Sequence, residues 1–155
     1  MHGNIAPLIE LGAGFDGELT ARENIYLNGA LLGHKKAFMA QHFDEIIEFA
    51  ELQDFVDVPL KNFSSGMAAR LGFAVATIVK PEILIVDEVL AVGDAAFQEK
   101  CKQRMEKMLA GGTTLLFVSH SIDQVKELCH NVIWLDKGVV KAIGKAEDVI
   151  PLYID

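Results

Sequence analysis

With 155 residues, 51% of them hydrophobic and 23% charged, the chain has the size and apolar supply of one compact globular domain. Its formal net charge of −8 argues against a broad basic face and hence against nucleic acid as a partner, because phosphate binding rests on clustered Lys and Arg. Cys101 and Cys129 are the only cysteines, too few for a disulfide framework or a zinc site, and no basic leader or apolar run of about 18 residues occurs, so a soluble chain in a reducing cytosol is expected.

In chain order, a short apolar run, Ile5 to Ile9, precedes a glycine-rich loop with Gly12, Gly14 and Gly17. Thr20 and Glu23 then form a capping box that opens a helix. From about Lys35 to Leu52 the apolar residues Phe38, Met39, Phe43, Ile46, Ile47, Phe49 and Ala50 recur at helical spacing, and a further helix is expected from Ser65 to Val79, with Pro59 between the two. The second half changes character. Ile83 to Val86 is a continuous apolar run ending in Asp87 and Glu88, the pattern of a strand buried on both faces of a parallel sheet. A helix from about Ala95 to Leu109, Gly111-Gly112 and an apolar strand from Thr114 to Val118 complete a strand–helix–strand unit. Ser121 and Gln124 make a second capping box for a helix to about Cys129. Val132 to Leu135 and Val139 to Ile143 then read as a hairpin that closes the edge of the sheet.

Three features carry chemistry. Asp87 and Glu88 stand at the C-terminal end of a strand, where open α/β sheets bind ligands. In nucleotide hydrolysis one acid there helps hold Mg²⁺ and its neighbour orients the attacking water, although two surface acids at a solvated strand end would look the same. The segment Asn62-Phe-Ser-Ser-Gly-Met67 opens a helix, and the hydroxyls of Ser64 and Ser65, the free N–H groups and Gly66 form a surface suited to phosphate, or an ordinary serine N-cap. His120 ends the next strand, on the same edge as Glu88, placed to hydrogen-bond a transferring phosphate or simply to serve the structure.

Taken together, their order and spacing resemble the ATPase subunits of ABC transporters. Ile83 to Glu88 looks like the Walker B strand with its catalytic glutamate, Phe63 to Met67 like a divergent signature, Val92-Gly93-Asp94 like the D-loop and His120 like the switch histidine. Arg70 matches the family's usual basic position after the signature. The combination of Glu10-Leu-Gly-Ala-Gly-Phe15, Thr20 to Gly29, Ser64 to Met67 and Asp87 to Asp94 is similar to exporters of cell-envelope polysaccharides of the O-antigen and teichoic acid types. Two departures stand out: Ser65 replaces the first signature glycine, and Glu10 is the candidate for the place of the loop glutamine.

The resemblance implies an α/β, partial P-loop NTPase fold: a mostly parallel sheet core plus a helical subdomain. Residues of about 20–79 would form the helical and signature part, and about 80–155 the Walker B, switch and hairpin part. It implies ATP and Mg²⁺ as cofactors, with Asp87 serving Mg²⁺, Glu88 and His120 catalytic, and Ser64, Ser65, Gly66, Met67, Asp94 and Glu10 toward the nucleotide. It also implies a second ATPase subunit and a transmembrane permease as partners, with residence at the cytoplasmic face of the cell membrane. The alternatives are a non-transport ABC ATPase of DNA repair or translation, and a catalytically silent fragment.

The sequence contains no GxxxxGK followed by Ser or Thr, the loop whose backbone and Lys grip the β- and γ-phosphates. Gly12 to Gly17 has the glycine spacing but continues with Glu18, which repels phosphate. The chain is therefore expected to begin downstream of the P-loop, to be inactive toward ATP alone, and to expose apolar sheet edges that make it self-associate.

Overall fold

The computed structural model describes residues 5–8, 11–88 and 92–154. In chain order the elements are β1 (Ile5–Leu8), α1 (Ala21–Leu31), α2 (Lys36–Ala50), two short 3₁₀ turns at Gln53–Phe55 and Leu60–Asn62, α3 (Ser65–Ala76), β2 (Ile83–Asp87) and α4 (Ala95–Ala110). There follow β3 (Thr114–Val118), α5 (Ile122–Leu128), β4 (Asn131–Asp136), β5 (Val139–Lys145) and α6 (Ala146–Ile154). The three early helices arise where the periodicity places them. Thr20 caps α1 in a reciprocal box, its Oγ1 accepting from Glu23 N–H at 3.2 Å while its own N–H donates to Glu23 Oε2 at 2.8 Å. In α2, Met39, Phe43, Ile46, Ile47 and Ala50 form one buried stripe that meets Ala21, Ile25, Leu71, Ala74 and Val75 of the neighbouring helices in an all-helical core.

A second core lies under the sheet. Strands β1, β2 and β3 pair in parallel in that order, with Ile83 opposite Ile5 on one side and Thr114 on the other. Leu84 and Val86 point inward and pack with Leu8, Phe73, Phe97, Cys101, Met105 and Met108, so α3 and α4 cover this face. Phe49 packs against both cores and stacks near Phe73, ring centroids 5.9 Å apart, which fixes the helical unit to the sheet.

The structure corrects the sequence reading in four places. Burial of β2 on both faces does not hold among the described residues: Leu84 and Val86 are fully buried, but Ile83 and Ile85 only partly, and on β3 Leu116 and Val118 stay more than half exposed. The hairpin does not close the sheet's edge. Strands β4 and β5 pair only with each other, as a separate antiparallel ribbon, because the chain leaves α5 without offering β4's backbone to β3. Its two-residue turn, Lys137 at φ +47 and Gly138 at φ +78, has both central residues left-handed, matching the strands' right-handed twist. The capping box at α5 is only half made: Ser121 Oγ accepts from Gln124 N–H at 3.5 Å, while the Gln124 side chain turns to Ser119. Finally, α6 had no forecast. Its apolar residues Val149 and Ile150 are buried, and Tyr153 meets Trp134 of β4 edge-on at 5.7 Å.

Candidate functional site

Parallel pairing brings the C-terminal ends of β2 and β3 side by side, since Asp87 is in register with Val118. Glu88 continues that pairing by one step, its N–H donating to the Val118 carbonyl at 3.0 Å. The backbone then turns sharply. Glu88 adopts φ +53, a left-handed conformation that a side-chain-bearing residue holds only where its surroundings enforce it, and such strain gathers at working sites. Glu88 Oε1 lies 3.2 Å from His120 Nε2, two residues past the end of β3. Glu88 is half exposed and the imidazole 90% exposed, so the pair faces solvent on the strand-end edge of the sheet. Asp87 is exposed beside it. Two of the sequence's candidates, Glu88 and His120, thus meet in space, although 32 positions apart in the chain by their numbers, 120 against 88.

The serine-rich turn caps α3. Ser64 Oγ accepts from Met67 N–H at 3.1 Å and the Ser64 carbonyl accepts from Ala68 N–H, which leaves the Ser65 and Gly66 N–H groups directed outward from the first turn. A methyl placed on Gly66 would meet only Ser64 Oγ, at 3.9 Å, so the approach to these donors is open. Met67 plays a different part from its neighbours, since its N–H is spent in the cap and its side chain packs on the helical core. Asp94 caps α4: Oδ1 accepts from Phe97 N–H at 2.9 Å, and Oδ2 accepts from Arg70 Nη2 at 3.2 Å. The Phe97 N–H, and after it Arg70, hold the Asp94 carboxyl below the ordinary carboxylate range. Arg70 is therefore the physical link between the α3 turn and the Asp94 cap. Glu10 lies outside the described residues.

Sequence reasoning missed Glu51. It sits just past α2 at φ +58 and accepts from both Arg70 and Lys100. A glutamate beyond an apolar helix gives no signal in one dimension, because its partners come from two other helices. Burial pushes the Cys101 thiol up to about 12 and raises that of Cys129 as well, which disfavours the thiolate at both.

Among the described residues no group of three His, Cys, Asp or Glu side chains converges as a metal cage. Mg²⁺ does not require one, since it keeps waters and takes one or two carboxylates together with phosphate oxygens. The exposed carboxylates of Asp87 and Glu88 fit that donor set. The strand-end edge presents an acid pair and an imidazole, and the start of α3 separately presents outward N–H donors; each is a group that phosphoryl chemistry uses.

Comparison with known proteins decides the family. The family model described as ABC transporter matches residues 2–91, more than half of the chain. The chain belongs to the ABC transporter family. It is 49% identical over 152 residues to the O-antigen export system ATP-binding protein RfbB of Klebsiella pneumoniae, covering 98% of this chain and 62% of that protein. It is 44% identical over 146 residues to the teichoic acids export ATP-binding protein TagH of Listeria innocua, covering 94% of this chain and 44% of that protein. These are the two exporter types that the sequence motifs resemble. Among solved structures, an ATP-binding subunit of an ABC transporter superposes with a TM-score of 0.81 at 23% identity, covering 97% of this chain and 62% of that one, which shows the fold. The ABC-family chain thus spans less than two thirds of the length of these relatives.

Proposed function

We propose that this chain carries the water-activating and signature half of an ATP-hydrolysing subunit that powers export of a cell-envelope polysaccharide through a membrane permease. The single observation behind this reading is the Glu88–His120 contact at the strand-end edge, made by a glutamate whose backbone is left-handed. In this reading Glu88 orients the attacking water and accepts its proton at a carboxylate oxygen, while His120 donates a hydrogen bond from its ring to the γ-phosphate. Asp87 would hold Mg²⁺, which when bound supplies charge neutralisation at the phosphates. Ser64 and the N–H groups of Ser65 and Gly66 would bind phosphate oxygens of a nucleotide held mainly by a second copy, and Asp94 would meet that copy across the interface. Met67 and Glu10 are assigned to the nucleotide's surroundings on the resemblance alone. The helical unit of residues 20–79 would meet the permease, and the assembly would sit at the cytoplasmic face of the membrane. No helix among the described residues is long and apolar enough to cross the bilayer itself.

The names of the O-antigen and teichoic acid relatives support the substrate class, and the absence of GxxxxGK[S/T] from the sequence supports a division of labour with residues the chain does not contain. The 155-residue chain alone is accordingly expected to show no ATP turnover above buffer. Robust hydrolysis that Glu88→Gln abolishes would contradict the assignment of the phosphate grip to other residues.

A further inference from the structure

Glu51 stops α2 with a left-handed backbone, φ +58, a position that glycine fills without steric cost and that an L side chain resists. If stopping the helix were the residue's whole task, a glutamate would be a poor choice. Its carboxylate instead spans two other helices. Oε2 accepts from Arg70 Nη1 of α3 at 2.9 Å, and Oε1 accepts from Lys100 Nζ of α4 at 3.1 Å. Lys100 also donates to the Phe49 carbonyl at 2.8 Å, so α4 is tied to the last turn of α2 by two bonds from one ammonium.

The other end of the Arg70 fork leads to the candidate site. Arg70 Nη2 donates to Asp94 Oδ2 at 3.2 Å, and the guanidinium lies 4.8 Å from the centre of the Phe97 ring. Gly93 folds over it at φ +73, and a methyl at Gly93 would stand 3.2 Å from both Arg70 Nε and Phe97 Cβ. The Gly93–Asp94 segment is thus moulded on the Arg70 head group. A planar fork with two fixed partners has one orientation, and with one partner it can swing. Arg70 is only 19% exposed, so its orientation is set by these neighbours rather than by water.

We infer that Glu51 is a positioning residue for the Gly93–Asp94 segment: it locks the Arg70 guanidinium in the one orientation on which that segment packs. The functional weight of the inference rests on the reading of Asp94 as a residue that meets a second copy at its nucleotide. Glu51 itself acts through Arg70 and touches no nucleotide.

The test uses Glu51→Gly and Glu51→Gln in the subunit extended to the length of its relatives. The first relieves the left-handed strain while deleting the carboxylate, so the fold survives; the second keeps shape but removes the charge. Amide hydrogen exchange followed by NMR should rise roughly tenfold at Phe97 and Gln98, whose N–H groups donate to Asp94 Oδ1 and to the Asp94 carbonyl at 2.9 Å each, in Glu51→Gly, and by less in Glu51→Gln, with amides of α1 unchanged. Added to Arg70→Gln, Glu51→Gly should bring no further increase at those amides, because the two residues act in series. Unchanged exchange at Phe97 and Gln98 in both single variants would overturn the inference, as would additive increases in the double variant. The underlying reading has its own readout. In the subunit extended to the length of its relatives, Glu51→Gly should lower kcat for ATP with KM little changed. Faster exchange with intact turnover would uphold Glu51 as the positioning residue and remove Asp94 from the reaction.

Discussion

The contact between Glu88 and His120 records proximity and contributes little to stability, because an exposed ion pair contributes about 0–1 kcal/mol and here the imidazole is 90% exposed. His120→Ala should therefore leave unfolding by urea within about 0.5 kcal/mol of the parent, whereas a loss above about 2 kcal/mol would mean that the histidine is structural. Asp94 behaves differently, since its carboxyl is depressed first by the Phe97 N–H and then by Arg70. A carboxyl with a lowered folded pKa stabilises the fold above its unfolded value of about 3.9, and that contribution disappears as the pH falls through the folded value. Arg70→Gln removes the second cause. A carbon-13 titration should then place the Asp94 carboxyl higher than in the parent, and an unchanged or lower value would contradict the link. The candidates whose places were legible in the sequence, Asp87, Glu88, Ser64 and His120, are those that stand at or just beyond an element end. Glu51 was not legible, for its role depends on which helices surround it.

Among the elements, α1 is anchored by one buried amide. Asn24 is fully buried, accepts from Asp16 N–H at 2.8 Å, and donates to the carbonyls of Asp16, Leu19 and Thr20 at 2.8, 3.1 and 3.0 Å. It thereby ties the loop of residues 16–20 to the first turn of the helix. Asn24→Ala strands several of these groups at once and should cost about 1–3 kcal/mol, measured by urea denaturation. A neutral result would show that water replaces the amide. Helices α1 to α4 were readable because each buries a stripe at helical spacing and three carry a side-chain cap, from Thr20, Ser64 and Asp94. Strands β2 and β3 were readable as strands, but the exposure of their second face was not, because an apolar run does not say which of its neighbours are present. The hairpin's placement failed for a related reason: alternation fixes the pairing of β4 with β5 and leaves the partner of its other edge open. Helix α6 carries Pro151 in its interior, a residue that argues against a helix in one dimension.

At the scale of the whole molecule, several large apolar side chains among the described residues stand exposed. Leu116 is 53% exposed, Val118 56%, Ile133 57% and Ile143 68%. Strand β3 is also a sheet edge among the described residues, with uncharged side chains from Thr114 to Val118. Sedimentation of the chain at micromolar concentration should therefore show self-association, reduced by Leu116→Lys with Val118→Lys. A stable monomer would contradict this.

The role proposed for Glu88 is to activate water for ATP hydrolysis while residues outside this sequence grip the phosphates. Its most direct test is steady-state ATP hydrolysis by the subunit extended to its relatives' length, alongside ATP binding, for the parent and Glu88→Gln. Glu88→Gln should retain ATP binding and lose turnover by about 10²–10⁴-fold, the usual contribution of a positioned base. Turnover equal to that of the parent would contradict it.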